Sequence, residues 1–362
     1  MSKAGKLGVV LLNFGEPAEP TMETVVPYLE RIFGLNVGLA AELTPEQLAA
    51  RNHEMAVRRA PGLIEEYQAI GGSPLAAQAR EQAEALQREL AHRGHEVSTY
   101  VAMQFTEPSI RAAAEQARAD GVERLVGFPV YPMCGTSTTV AALRDLAGAL
   151  EAMDWHPEYV EISGWHGHPD YAALRAVGVR ELLLAHDLDL NAPGTKLVFS
   201  AHGIPMRYIH AGNRYDLYTY HGCKQIADAL GTSDYVVGFQ NHTNRPIEWT
   251  QPDIESVIAE VAADTVVVVP VSFMHEQSET LSELDIELRQ EAEERGLTYY
   301  RVPVPHDDAR FTTFMADLVE ARLTAPERAG LGACRCRATA ATCCTNSRLE
   351  YADLGLEAPQ PG

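Results

Sequence analysis

Short β-branched runs alternate with stretches of helical period along most of the chain. Strands are predicted at Gly8–Leu12, Val97–Met103 and Arg124–Phe128. Between and after them, helical spacing covers Met22–Phe33, Pro45–Ala56, Pro74–Arg93, Pro108–Asp120 and Thr138–Met153. A second series follows, with strands at Tyr159–Ile162, Lys196–Ser200, Asp234–Phe239, Thr265–Val269 and Tyr299–Arg301. Its helices fall at Asp170–His186, Tyr220–Ala229, Pro252–Ala262, Glu276–Arg295 and Asp308–Leu323. Apolar strands that alternate with helices predict parallel sheets covered on both faces. The fold class expected is therefore α/β, with two doubly wound Rossmann-like domains around a central cleft. The expected division is 7–155 and 156–307, then a final helix at 308–325 and a Cys-rich tail at 326–362.

Composition narrows the function. The 362 residues carry 29 Lys plus Arg against 50 Asp plus Glu, a formal charge of −21. Nucleic acid is excluded as the main partner, because phosphate binding draws on Lys and Arg. The densest apolar stretch, Thr265–Met274, has the length of a strand, short of the ~18 residues a membrane span needs. The N-terminal segment resembles a signal peptide but ends in Asn13-Phe14-Gly15-Glu16-Pro17 without a small-residue cleavage site. It reads as the first strand of a cytoplasmic protein. Oligomeric state is open between monomer and homodimer, and peripheral membrane contact is also open.

In doubly wound folds, ligands bind beyond the carboxyl ends of the strands, so the residues there carry the information. Ala201-His202-Gly203-Ile204-Pro205 follows one predicted strand. A histidine placed this way, beside a glycine that permits close approach, is a candidate base or ligand. Past Thr265–Val269 the chain reaches Glu279, Glu283 and Glu287, spaced i, i+4, i+8 on one helix face. A stripe of this kind is usually a solvated surface. This one has no intervening basic residue and starts at a strand end, so it also suits a proton or cation path. One imidazole and one carboxylate make a half-filled site for Fe(II), Co(II) or Zn(II), fit for a metal that must leave. Six cysteines are present; Cys334, Cys336, Cys343 and Cys344 crowd into eleven residues, and Cys134 and Cys223 lie apart. That clustering points to a metal or iron–sulfur group rather than a disulfide framework.

These motifs resemble the ferrochelatase family. The resemblance rests on Leu11-Leu12-Asn13-Phe14-Gly15-Glu16-Pro17, on Arg58-Arg59-Ala60-Pro61 with Tyr67, and on Ile70-Gly71-Gly72-Ser73-Pro74-Leu75. It continues through Phe128-Pro129-Val130-Tyr131, Phe199-Ser200-Ala201-His202-Gly203-Ile204-Pro205 and Glu279-Thr280-Leu281 with Glu283 to Glu287. It implies insertion of Fe(II), as substrate, into protoporphyrin IX. His202 and Glu279 would face the porphyrin centre as catalytic and metal-contacting residues, with Glu283 and Glu287 as the path outward. Arg59, Tyr67 and Ser73 are implied to hold propionates. Phe14 and Phe128 are implied as ring walls, with Tyr131 beside them.

The chain departs from the family at Phe14, at Gln104-Phe105 and at Gln277. Relatives often carry His just before the position of Glu279, and His275 stands close by as a substitute. Asn241-His242 reads as structural. Cys334-x-Cys336-x6-Cys343-Cys344 is similar to the C-terminal 2Fe–2S ligands of some members, with structural zinc the alternative and Cys134 a rival fourth ligand. Arg335 and Arg337 would offset the charge of a cluster. Three other functions remain open on the sequence: coproporphyrin III as substrate, a cobalt or nickel tetrapyrrole chelatase, and a porphyrin or haem carrier.

Overall fold

The computed structural model describes residues 5–34, 43–241, 247–324 and 349–358. The tail cysteines Cys334, Cys336, Cys343 and Cys344 lie outside the described residues, as does His242. The described strands form two four-stranded parallel sheets. The first runs β2-β1-β3-β4, from β1 (Leu7–Asn13), β2 (Val97–Met103), β3 (Arg124–Pro129) and β4 (Glu158–Glu161). The second repeats this order as β6-β5-β7-β8, from β5 (Thr195–His202), β6 (Tyr235–Gln240), β7 (Thr265–Pro270) and β8 (Thr298–Arg301). The strand at 158–161, which the sequence assigns to the second series, pairs with β3 and closes the first sheet. Strand spacing alone does not reveal which sheet an edge strand joins.

Alternation along the buried strands divides the core. Leu7, Val9 and Leu11 of β1 point to the same apolar mass as Leu197, Phe199, Val267 and Val269 of the second sheet. Val10 and Leu12 face the other way, onto α4 (Ile110–Ala119) and α5 (Ala141–Ala152). Val198, Val266 and Val268 likewise face α9 (Ile254–Glu260) and α11 (Arg289–Glu294). This period of two on fully buried strands is what a sheet covered on both sides requires. Trp165, Tyr171, Phe311 and Phe314 fill the central mass between the sheets.

Helix ends follow local chemistry. Ser109 caps α4 at the Ala112 amide, and Asp253 caps α9 at Ser256. Thr44 and Gln47 form a reciprocal capping box on α2 (Pro45–Ala69). The sequence ends this helix at Ala56, but it runs on through Pro61. Together with α1 (Met22–Gly34), α2 packs Val25, Leu29, Phe33, Ala56, Ala60 and Leu63 into a separate apolar cluster over the end of the first sheet. The final helix, α12 (Ala309–Thr324), crosses back to the first half. There Arg93, just past α3 (Leu75–His92), meets Asp317 and Glu320, and His95 meets Glu320.

Candidate active site

In each sheet the strand order reverses beside the first strand of its series, between β1 and β3 and between β5 and β7. A crevice opens at such a switch point, beyond the carboxyl ends. The two crevices face one cleft. From the first sheet come Phe14 and Glu16, past β1, and Tyr131, past β3. From the second come His202, the last residue of β5, and the segment after β7 that leads to Glu279. A helical hairpin makes the outer wall, with Tyr28, Leu29, Ile32 and Phe33 from α1 and Arg59, Leu63, Glu66 and Tyr67 from α2. The α2 residues recur at helical spacing, so one face of the helix looks into the cleft. The empty space between these walls, open solvent at the mouth included, is about 1070 Å³.

His202 and Glu279 meet, with Nδ1 of the imidazole 2.7 Å from Oε1 of the carboxylate. Both are partly exposed to the cleft. Backbone constraints hold the histidine. Its amide donates to Ser272 Oγ at 3.0 Å, and the Gly203 amide donates to the Gln240 carbonyl at 2.7 Å. A Cβ on Gly203 would collide with Asn241 Oδ1 and the Gln240 carbonyl, so only glycine allows this approach. Gln277 Nε2 donates to Glu279 Oε2 at 2.6 Å. Glu279 therefore stands between an imidazole and an amide.

Gln240, at the end of β6 and level with His202 in the ladder, organises the acids. Its Nε2 donates to the Glu279 carbonyl and to Glu283 Oε2, each at 2.8 Å. Its Oε1 accepts from Ser200 at 2.8 Å, which fixes the amide orientation. Burial, then the charge of Glu279, pushes the Glu283 carboxyl up to about 8.

The carboxylate row is not a continuous α-helix. Glu279 lies in a short turn, α10 (Ser278–Leu281), and Glu283–Leu288 is a π-turn in which the Glu287 amide reaches back to the Ser282 carbonyl. Asp285 pins this turn to the end of β8 through two bonds to Arg301, at 2.7 and 2.6 Å. Single π-turns of this kind gather at functional sites. The first half has one in the matching place after β3, Thr136–Val140. Glu279 and Glu283 line the cleft, whereas Glu287 is exposed and accepts from Ser282 Oγ at 3.3 Å.

Other residues singled out by sequence lie as follows. Phe14 and Arg59 line the cleft. Tyr131 lines its inner end and donates to Gln104 Oε1 at 2.8 Å. Phe128 is 0% exposed and packs edge-on against Trp165 in the core. It is thus no wall of the cleft: it lies within β3, and its side of that strand faces the central core. Tyr67 and Ser73 both donate to Glu16, at 3.1 and 2.5 Å. His275 does not stand in for a histidine at position 277. It is buried, burial and the neighbouring His306 hold its imidazole down at about 3, and Gln277 itself contacts Glu279.

Sequence reasoning missed Gln240, Ser272, Glu16, Tyr28 and Trp249. Glu16 and Gln240 do sit at strand ends, a signal that was available, but neither residue type announces its partners. Among the described residues, no group of three or more His, Cys, Asp and Glu is placed to hold a metal ion. No described helix is long and apolar enough to cross a membrane.

The arrangement is that of a chelatase-like α/β enzyme, with a deep cleft between two parallel sheets and a histidine–carboxylate pair at its floor. The fold is shared with the solved structure of SirB from Bacillus subtilis with Fe3+. That match has a TM-score of 0.53 and 10% identity, over 89% of this chain and 97% of the other. The family model for ferrochelatase matches residues 6–323. The ferrochelatase of Synechococcus elongatus is 35% identical over 338 residues, covering 89% of this chain and 84% of that one. That of Thermosynechococcus vestitus is 36% identical over 341 residues, covering 90% and 84%. The chain belongs to the ferrochelatase family, metal-inserting enzymes of haem biosynthesis.

Proposed function

We propose that the chain inserts Fe(II) into protoporphyrin IX, with His202 and Glu279 at the reacting centre. The observation that carries this reading is their 2.7 Å approach in an open cleft lined by apolar and aromatic side chains. Metallation must remove two pyrrole N–H protons as the metal enters. A neutral imidazole can take a proton, and the imidazolium formed is stabilised at once by the adjacent Glu279 carboxylate. Glu279 also offers an oxygen to Fe(II), the substrate metal. Glu283, oriented by Gln240 and protonated near neutral pH, hands its own proton outward as Glu279 takes one from the ring, and the exposed Glu287 is the outlet. Phe14, Tyr28, Leu29, Ile32, Phe33 and Trp249 supply apolar cover for the ring. Arg59 is the single Lys or Arg among the described lining residues, so it is the propionate anchor.

The preference for protoporphyrin over coproporphyrin III rests on charge. The lining offers one arginine against Glu16, Glu66 and Glu279, with Glu283 held mostly protonated near neutral pH. That balance suits a ring with two propionates on one edge better than one with four. The test is anaerobic turnover of Fe(II) with each porphyrin, beside Co(II) and Ni(II). Protoporphyrin turnover with iron preferred supports the reading; binding without turnover would favour a carrier.

We extend the proposal to the tail, with Cys334, Cys336, Cys343 and Cys344 as ligands of a 2Fe–2S cluster in a cytoplasmic enzyme. Four thiols in eleven residues and the acidic composition support it. The chain just beyond them is anchored, with Glu350 on Arg214 at 3.1 Å and Tyr351 on Asp216 at 2.9 Å. Cys134 is 0% exposed in the core and is left out of the ligand set. Stoichiometric zinc without iron in the purified protein would refute the cluster.

A further inference from the structure

Glu16 is a carboxylate built into the cleft wall. It is 6% exposed and lies past Gly15, whose φ of 87° turns the chain out of β1. A Cβ on Gly15 would collide with Thr106 Oγ1 and Met103 Cβ, so the turn that delivers Glu16 requires glycine. Every hydrogen-bond partner of the Glu16 carboxylate is a hydroxyl or an amide. Oε1 accepts from Tyr67 at 3.1 Å, from Ser278 Oγ at 2.5 Å and from the Ser278 amide at 3.3 Å. Oε2 accepts from Ser73 at 2.5 Å and from the same amide at 3.3 Å. No cation pairs with it among the described residues. Burial, with the charge of Glu279, raises its pKa above the usual carboxylate range, while the bonds from Ser278 and Ser73 pull the other way.

These donors come from three separate segments: the end of α2, the turn before α3, and the residue preceding Glu279. Together they form a carboxylate-binding subsite. Tyr67 and Ser73 are the residues the sequence assigns to a substrate propionate, yet the protein's own carboxylate already occupies them. We propose that Glu16 is a specificity-determining residue: it fills this anion subsite from within and turns the cleft against porphyrins that bring a further carboxylate to that edge. The inference rests on the reading that the substrate is a porphyrin with two propionates. A third or fourth propionate brought to that edge would meet the Glu16 carboxylate, with the Tyr67, Ser73 and Ser278 donors already taken and the charge of Glu279 nearby. Unpaired like charge is how a site rejects a near-identical ligand.

The experiment measures Fe(II) insertion into protoporphyrin IX and coproporphyrin III by the wild type, Glu16→Gln and Glu16→Asp. Glu16→Gln is expected to raise kcat/KM for coproporphyrin III relative to protoporphyrin IX by about tenfold or more, chiefly through KM. Glu16→Asp keeps the charge and is expected to hold the ratio within about twofold of wild type. If Glu16→Gln does not accumulate as folded protein, Glu16→Ser carries the same expectation. A folded neutral variant with an unchanged ratio overturns the proposal. So does an equal loss on both porphyrins, which would make Glu16 only a structural tie. The substrate reading fails separately, if the wild type itself prefers coproporphyrin III. In that event a neutral variant that shifts the ratio further still supports the role of Glu16, and one that does not overturns it.

Discussion

His202 Nδ1 lies 2.7 Å from Glu279 Oε1, although His202 ends β5, Glu279 lies in α10 beyond β7, and the two stand 77 positions apart in the chain. Adjacent parallel strands β5 and β7 bring them together, with Ser200 level with Pro270 in the ladder. Sheet register sets His202, and the bonds from Gln277 and Gln240 hold Glu279 against it. The approach also sets an imidazole beside its counter-charge in the cleft.

Replacing His202 with alanine removes the proton acceptor but little of the apolar cover. His202→Ala is expected to lower kcat for iron insertion by about 10²–10⁴-fold. Porphyrin affinity, read by fluorescence quenching, should change by less than about threefold, because the ring contacts lie elsewhere. Loss of binding in step with turnover would show that the imidazole holds the ring rather than the proton.

Arg59 lines the cleft from α2 and is outside the His202–Glu279–Gln277 bonding set. Arg59→Ala should raise KM for the porphyrin by about tenfold or more and leave kcat near wild type, since a charged hydrogen bond is worth ~1.5–3 kcal/mol. Steady-state kinetics at saturating Fe(II) separate the two constants. A fall in kcat with unchanged KM would move Arg59 out of the binding role.

Glu283 gives the stability a pH dependence of definite sign. Burial and the charge of Glu279 push its carboxyl up to about 8 in the fold, against an ordinary value of 4.5. The native state therefore holds a proton that the unfolded state has released between those values. This contribution is fully present at acid pH and is lost as pH rises through 8. Glu283→Gln should match wild type in thermal stability near pH 4. It should exceed wild type near pH 9, by on the order of 1–3 kcal/mol. Unfolding curves at the two pH values decide it, and equal differences at both would exclude the shift.

Gln240 carries two acceptors on one amide, the Glu279 carbonyl and the Glu283 carboxyl. Gln240→Leu is similar in size but leaves both without their donor, which costs about 1–3 kcal/mol of stability. It should also cut kcat, with Glu283 no longer held in line. Gln240→Glu would add a third acid and should be worse in both respects. A Leu variant with wild-type kcat would remove Gln240 from the proton route.

Much of this was legible from local pattern. The buried middles of β1, β3, β5 and β7 are apolar, so those strands could be read nearly to their ends. His202 and Glu279 were identifiable because a doubly wound fold places chemistry at strand ends and because the surrounding motifs match a family. Other features depend on contacts that no local window contains. Tyr159 looks like the start of a second domain until β4 is seen to pair with β3. Phe128 looks like a ring wall until its strand turns it into the core. Pro61 looks like a helix breaker, yet α2 continues through it because Ala60 and Leu63 pack against α1.

The sequence by itself determined the α/β class, the two series of strands and helices, and the residue types that could move protons. These follow from hydrophobic period and side-chain chemistry, which are local. Only the tertiary structure decided that Tyr67 and Ser73 hold Glu16, that Gln240 links Glu279 to Glu283, and that the acid row passes through a π-turn. A hydroxyl or an amide has no fixed partner until the sheets bring distant segments within about 3 Å, where the nearest acceptor takes the bond.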